Sequence, residues 1–203
     1  LDSEKAFQLF PTNPVYYFFN GIANSQLKNY KKAISSLEMG LEFVIDNPPL
    51  LAQFYSSLAD NYHYTKQHSH SDSLYDKALV IEPENVQVLN NYSYYLSLRN
   101  HKIEKAEAMS KKSNELSPNN ASFQDTYAWI LYQQKKYSEA KIWIEKAYEN
   151  GGDSSPVITE HYGDICFQLS DKEQAVIFWE KAKSLGEGSQ YLDKKIADKT
   201  LYE

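Results

Sequence analysis

The stretch DTYAWILYQQKKYSEAKIWIEKAYENGG, residues 125–152, decides how this chain folds. Ala128, Ala140 and Ala147 stand 12 and then 7 residues apart, with Tyr127, Leu131 and Tyr137 beside them. Two antiparallel helices joined by a short turn approach closely only where facing side chains are small. The first small residue therefore belongs to one helix, A, and the other two to the next, B. The same interval returns at Gly163, Ala175 and Ala182, at Gly21, Ala33 and Gly40, and at Ala59, Ser71 and Ala78. Ser93, Ala106 and Ser113 follow it with one extra residue. Larger apolar residues at helical spacing fill in between; Tyr55, Leu58 and Tyr62, then Tyr75 and Leu79, show this in the second unit. Pro83 and Pro118 each come five residues after the last small residue and stop helix B.

On these residues the chain resembles the tetratricopeptide repeat (TPR) family, whose unit is a helix–turn–helix of about 34 residues. EHYGDICFQLSDKEQAVIFWEKAKSLG, residues 160–186, repeats the pattern with Tyr162-Gly163, Cys166, Ala175, Trp179 and Ala182. The resemblance implies an all-α, right-handed α-α superhelical solenoid. Five units are expected, at 14–51, 52–85, 86–120, 121–155 and 156–189, with IDNPPL as an extended joint after the first. Residues 1–13 read as the helix B of a preceding repeat, which makes the chain a C-terminal multi-repeat fragment of a bacterial TPR protein. Residues 190–203 read as a capping helix, with Leu192, Ile196 and Lys199 on one side.

Composition agrees with a folded helical chain: 42% hydrophobic, 24% charged, only seven Gly and seven Pro. A net charge of −6 argues against nucleic acid, which asks for a basic stripe. Cys166 is the one cysteine, so neither an intramolecular disulfide nor a cysteine zinc cluster can form. No apolar run approaches the roughly 20 residues that span a bilayer. The last two units and the tail look similar to TPR proteins of bacterial cell envelopes, a likeness that cytoplasmic members share, so the compartment stays open between the periplasmic side and the cytoplasm.

In the TPR family helix A lines the concave face, where extended peptides or partner helices lie. Positions four and then three apart on helix A should point inward together. They are Phe18, Ile22 and Ser25; Ser56, Asp60 and His63; Asn90, Tyr94 and Ser97; Asp125, Trp129 and Tyr132; Glu160, Asp164 and Phe167. Four are acidic and none is Lys or Arg, which argues against the family's carboxylate-clamp subtype. Trp129 and Tyr132 suggest a stacking platform. The expected partner is a protein segment, extended or helical, carrying Lys or Arg and apolar side chains. Packing between repeats is the competing role for Tyr94 and Phe167, as core or convex-surface packing is for Trp143 and Trp179.

HYTKQHSHSD, residues 63–72, raises the question of a metal site. The repeat register sends His63 to the groove, His68 to the turn and His70 to solvent, so a single ion could not easily gather them. No metal or other cofactor is expected. Phosphate loops, G-x-S-x-G, H-E-x-x-H and C-x-x-C are absent from the sequence. Asp125 and Glu160 could converge as a carboxylate pair, but an open groove does little to desolvate them. The expected function is a protein-interaction scaffold or assembly factor without catalysis of its own. The alternative is a regulatory or targeting module of a larger enzyme.

Overall fold

Residues 10–186 and 188–202 are described in the computed structural model, where they form eleven α-helices and one short 3-10 turn and no strand. The helices are α1 Pro14–Gln26, α2 Tyr30–Leu41, α3 Pro48–Tyr64, α4 His68–Ile81, α5 Val86–Leu98, α6 Ile103–Leu116, α7 Ala121–Gln133, α8 Tyr137–Glu149, α9 Pro156–Gln168, α10 Lys172–Leu185 and α11 Leu192–Asp198. Odd-numbered helices up to α9 are the A helices and even-numbered ones the B helices, an all-α solenoid of helix–turn–helix repeats. The chain divides into two compact units, one up to Asn91 and one from Tyr92. Most of the helix expected over residues 1–13 lies outside the described residues.

Each A helix starts by the same chemistry. The side chains of Asn13, Asn47, Asn85, Asn120 and Ser155 accept hydrogen bonds from the amides of Val15, Leu50, Val88, Phe123 and Ile158, at 3.0, 3.1, 3.1, 3.2 and 3.4 Å. Such caps satisfy amides that the first turn leaves unpaired. Pro14, Pro48 and Pro156 follow directly, where a missing N–H costs nothing. The stretch expected as an extended joint therefore belongs in part to α3, because Asn47 and Pro48 form a cap and first turn.

The A-to-B turns are also alike. Lys28, Lys66, Asn100, Lys135 and Ser170 take positive φ between 46° and 67°. The amide after each one bonds a carbonyl five residues back: Asn29 to Asn24, Gln67 to Tyr62, His101 to Leu96, Lys136 to Leu131 and Asp171 to Cys166. This left-handed closure reverses the chain in three residues, or four between α5 and α6, and lets helix B fold back on helix A. The cap holds without glycine, at a cost of about 1 kcal/mol for a β-carbon in that conformation.

All fifteen spaced small residues are buried. A β-carbon on Gly21 would stand 2.5 Å from Leu37 Cγ, and one on Gly40 2.4 Å from Tyr17 Cβ. At Gly163 it would meet the Trp179 ring at 2.5 Å and the Ala175 carbonyl oxygen at 3.0 Å. In the first unit Ile34, Leu37, Phe54 and Leu58 form the core. In the second, Ala128, Leu131, Ile144 and Ile165 form one cluster, and Cys166, Ala175, Trp179 and Leu192 another. Trp179 is fully buried and Cys166 is a buried free thiol that burial pushes up to about 11, both inside the packed core.

The histidine stretch spans the end of α3 and the start of α4. The turn brings the His63 and His68 rings to 5.4 Å of each other, whereas the register assigned them to different places. His70 is exposed and stacks on Tyr62 at 5.4 Å. Among the described residues no three His, Cys, Asp or Glu side chains are grouped to hold a metal ion.

Two substitutions check this packing by chemical denaturation. Gly163→Ala should destabilise the chain by about 1–3 kcal/mol through overpacking against Trp179. Lys135→Gly should stabilise it by about 0.5–1 kcal/mol by relieving the left-handed β-carbon.

Candidate functional site

Within the second unit, α5, α7 and α9 place their residues around a cavity of about 540 Å³. Tyr94 and Leu98 come from α5, Trp129 and Gln133 from α7, and Val157, Glu160, His161 and Asp164 from α9. The remaining wall comes from the C-terminal segment: Gly188, Ser189, Tyr191, Lys195 and Tyr202. A β-carbon on Gly188 would lie 2.6 Å from Glu160 Oε2, so glycine allows the segment to run against that carboxylate.

The acids of α9 are held by this segment. Lys195, only 3% exposed, places Nζ 2.8 Å from Glu160 Oε1 and 2.8 and 2.7 Å from the two Asp164 oxygens. The ammonium thus bridges the two carboxylates. The Ser189 amide and hydroxyl donate to Glu160 at 2.7 and 2.5 Å, and Trp179 Nε1 donates to Asp164 Oδ1 at 2.8 Å. Burial alone would raise the Glu160 carboxyl, but the bonds from Lys195 and Ser189 hold it below its ordinary value. Burial raises Asp164 to about 6 against the pull of Lys195, His161 and Trp179, which leaves it ionised at neutral pH.

The third acid is held from its neighbouring repeat. His161 Nδ1 lies 2.8 Å from Asp125 Oδ1, and both side chains are about one-tenth exposed. The His161 ring stacks on Trp129 with centroids 4.1 Å apart and planes at 18°. Trp129 also stacks with Tyr132 at 4.7 Å and 8°, so its platform is engaged within the chain. Tyr132 is buried and accepts a hydrogen bond from Gln168 Nε2 at 3.3 Å. Burial would lower the His161 pKa, but Asp125, with Asp164 and Glu160 behind it, raises it above 6.5.

Of the residues expected on the inward face, Tyr94, Trp129, Glu160 and Asp164 share the cavity, with Asp125 behind His161. Phe167 packs on Trp179 at 5.7 Å. In the first unit Phe18 packs on Phe54 at 5.2 Å, Ile22 and His63 are half-buried, and Asn90 is buried. Asp60 accepts a hydrogen bond from the Tyr75 hydroxyl. The sequence reading missed His161 and Lys195. Lys195 stands three residues after Leu192 and one before Ile196, which is the apolar stripe of α11; a lysine there, opposite unpaired acids, is the signal. Lys199, expected on that stripe, lies past the helix end at φ 48° and is exposed.

Lys195→Met should cost about 3–5 kcal/mol by stranding two buried carboxylates, and adding Glu160→Gln with Asp164→Asn should recover most of it. Thermal denaturation checks both. Because His161 has a raised folded pKa, its contribution to stability is complete below pH 6.5 and is lost as pH rises through that folded value. His161→Gln should remove this part of the stability–pH curve.

A tetratricopeptide-repeat family model matches residues 74–108. The TPR repeat-containing protein PA4667 of Pseudomonas aeruginosa is 28% identical over 83 residues, which are 41% of this chain. The chain spans 14% of the length of that relative. The Pseudomonas aeruginosa PilF structure superposes with a TM-score of 0.73 at 21% identity, covering 92% of this chain and 86% of that one. YrrB, a TPR protein with an unusual peptide-binding site, superposes with a TM-score of 0.65 at 16% identity, covering 98% of both chains. These likenesses show the fold, a tetratricopeptide-type array of helix pairs, and the family model places one such repeat at residues 74–108.

Proposed function

We propose that the chain is a protein-interaction module that grips a partner segment at the cavity of its second unit, with no catalytic step of its own. TPR repeats support the general role, and a peptide-binding site is named for the similar protein YrrB. The observation that carries the finer reading is the charge of the cavity wall together with Asp125 directly behind it. Asp125, Glu160 and Asp164 are three carboxylates against one ammonium, Lys195, and one imidazole, His161. The site therefore stays negative after its internal pairs have formed, and it suits a partner side chain carrying positive charge. The rim adds Leu98 and Val157, 47% and 43% exposed, for the apolar neighbours of that side chain.

Three of the four acids that suggested a basic partner are thus engaged within the chain, and the fourth, Asp60, accepts from Tyr75. Their role is to set the potential of the pocket, with no carboxylate standing open for a direct salt bridge. The same engagement supports the absence of catalysis. Asp125 is committed to His161 and Glu160 to Lys195 and Ser189, so neither is poised as a general acid or base. In the first unit Ile22 and His63 are the half-buried helix-A side chains that this reading offers to a partner.

The test is selection of a random peptide display library on the immobilised chain at pH 8. Enriched peptides should carry Lys or Arg beside apolar residues. The double variant Leu98→Lys/Val157→Lys, at exposed positions that keep the fold, should bind them at least about tenfold more weakly. Enrichment of acidic peptides, or binding unchanged in the double variant, would contradict the reading.

A further inference from the structure

His161 is a cavity residue that the repeat pattern did not single out, and its surroundings fix its chemistry. A carboxylate only accepts, so the 2.8 Å contact with Asp125 Oδ1 places the ring hydrogen on Nδ1. In the neutral ring Nε2 then carries a lone pair. Stacking on Trp129 holds the ring plane. Nε2 makes no hydrogen bond to a described residue, and the ring lines the cavity. Charged groups face it from three helices: Asp125 on α7, Glu160 and Asp164 on α9 itself, and Lys195 on α11. Lys195 Nζ is bonded to the two α9 acids, Glu160 and Asp164.

We propose that His161 is the specificity-determining residue of this pocket: its Nε2 lone pair accepts an N–H from a partner's Lys or Arg, and one proton turns that acceptor into a donor that rejects it. The inference rests on the interaction reading above. Protonation also lowers the residual negative charge of the wall by one, so both effects oppose a cation together. The raised His161 pKa puts the change above pH 6.5, and Asp164, at about 6, is largely ionised only by about pH 7. Capture of a cationic side chain is thereby linked to release of a proton.

The test uses the whole chain and a pentapeptide of alternating leucine and lysine, with a leucine–glutamate counterpart. Binding is read from chemical shifts of cavity amides between pH 6 and 9, and the ring nitrogens of His161 are read in the same samples. The lysine peptide should bind at least about tenfold more tightly above the His161 titration than below it. The glutamate peptide should show no such gain. His161→Gln should flatten the dependence. Asp125→Asn, whose amide oxygen still accepts from Nδ1, should move its midpoint to lower pH. A slope that persists in His161→Gln, or a neutral ring with its hydrogen on Nε2, overturns the role of His161. Lysine-peptide binding without a slope also overturns that role but leaves the interaction reading standing. No binding at any pH overturns both.

Discussion

Everything in this chain depends on how closely one helix can approach the next. At Gly21, Gly40 and Gly163 a single β-carbon would come within 2.5 Å of the facing helix or its side chains. Alanine or serine at the equivalent positions is fully buried. This contact fixes the rotation of each helix about its axis, and the rotation decides which residues of helix A are left to line a surface. Asn caps and left-handed turns then fix where each helix begins and how quickly the chain reverses. The cavity of the second unit is a consequence of this arrangement. Residues on α5, α7 and α9 converge there because each helix has been turned by its own small-residue contact.

The C-terminal segment adds chemistry that the repeats lack. An isolated seven-residue helix would not persist in water. The α11 helix is held by Leu192 against Trp179 and by the buried ammonium of Lys195 between two carboxylates. Burying three charges is costly in desolvation, and the bonds from Ser189 and Trp179 offset part of that cost by occupying further lone pairs. The segment therefore caps the core and also forms a wall of the cavity.

The fold was legible from sequence because its determinants are local and repeated. The interval between small residues, Pro83 and Pro118 after helix B, and the tyrosine before Ala128 and Gly163 all act within one repeat. The site was legible only in part. Tyr94, Trp129, Glu160 and Asp164 follow from helix periodicity, since they sit at regular positions on A helices. Lys195 does not, because it comes from outside the repeats and reaches its partners 31 and 35 residues back in the chain. His161 was hidden for a related reason: it lies one position beyond Glu160, off the assigned stripe, and is drawn to Asp125 in the preceding repeat. Periodicity reports the orientation of a backbone. It does not report which charges meet across helices.

The central claim is that the C-terminal segment completes the site through a buried ammonium shared by Glu160 and Asp164. Direct nitrogen-detected NMR of the lysine side chains tests it in the unmodified chain. The account predicts one ammonium signal, assigned to Lys195, whose protons exchange slowly with water and couple across hydrogen bonds to carboxylate carbons. A Lys195 signal that exchanges as fast as those of the exposed lysines would contradict it.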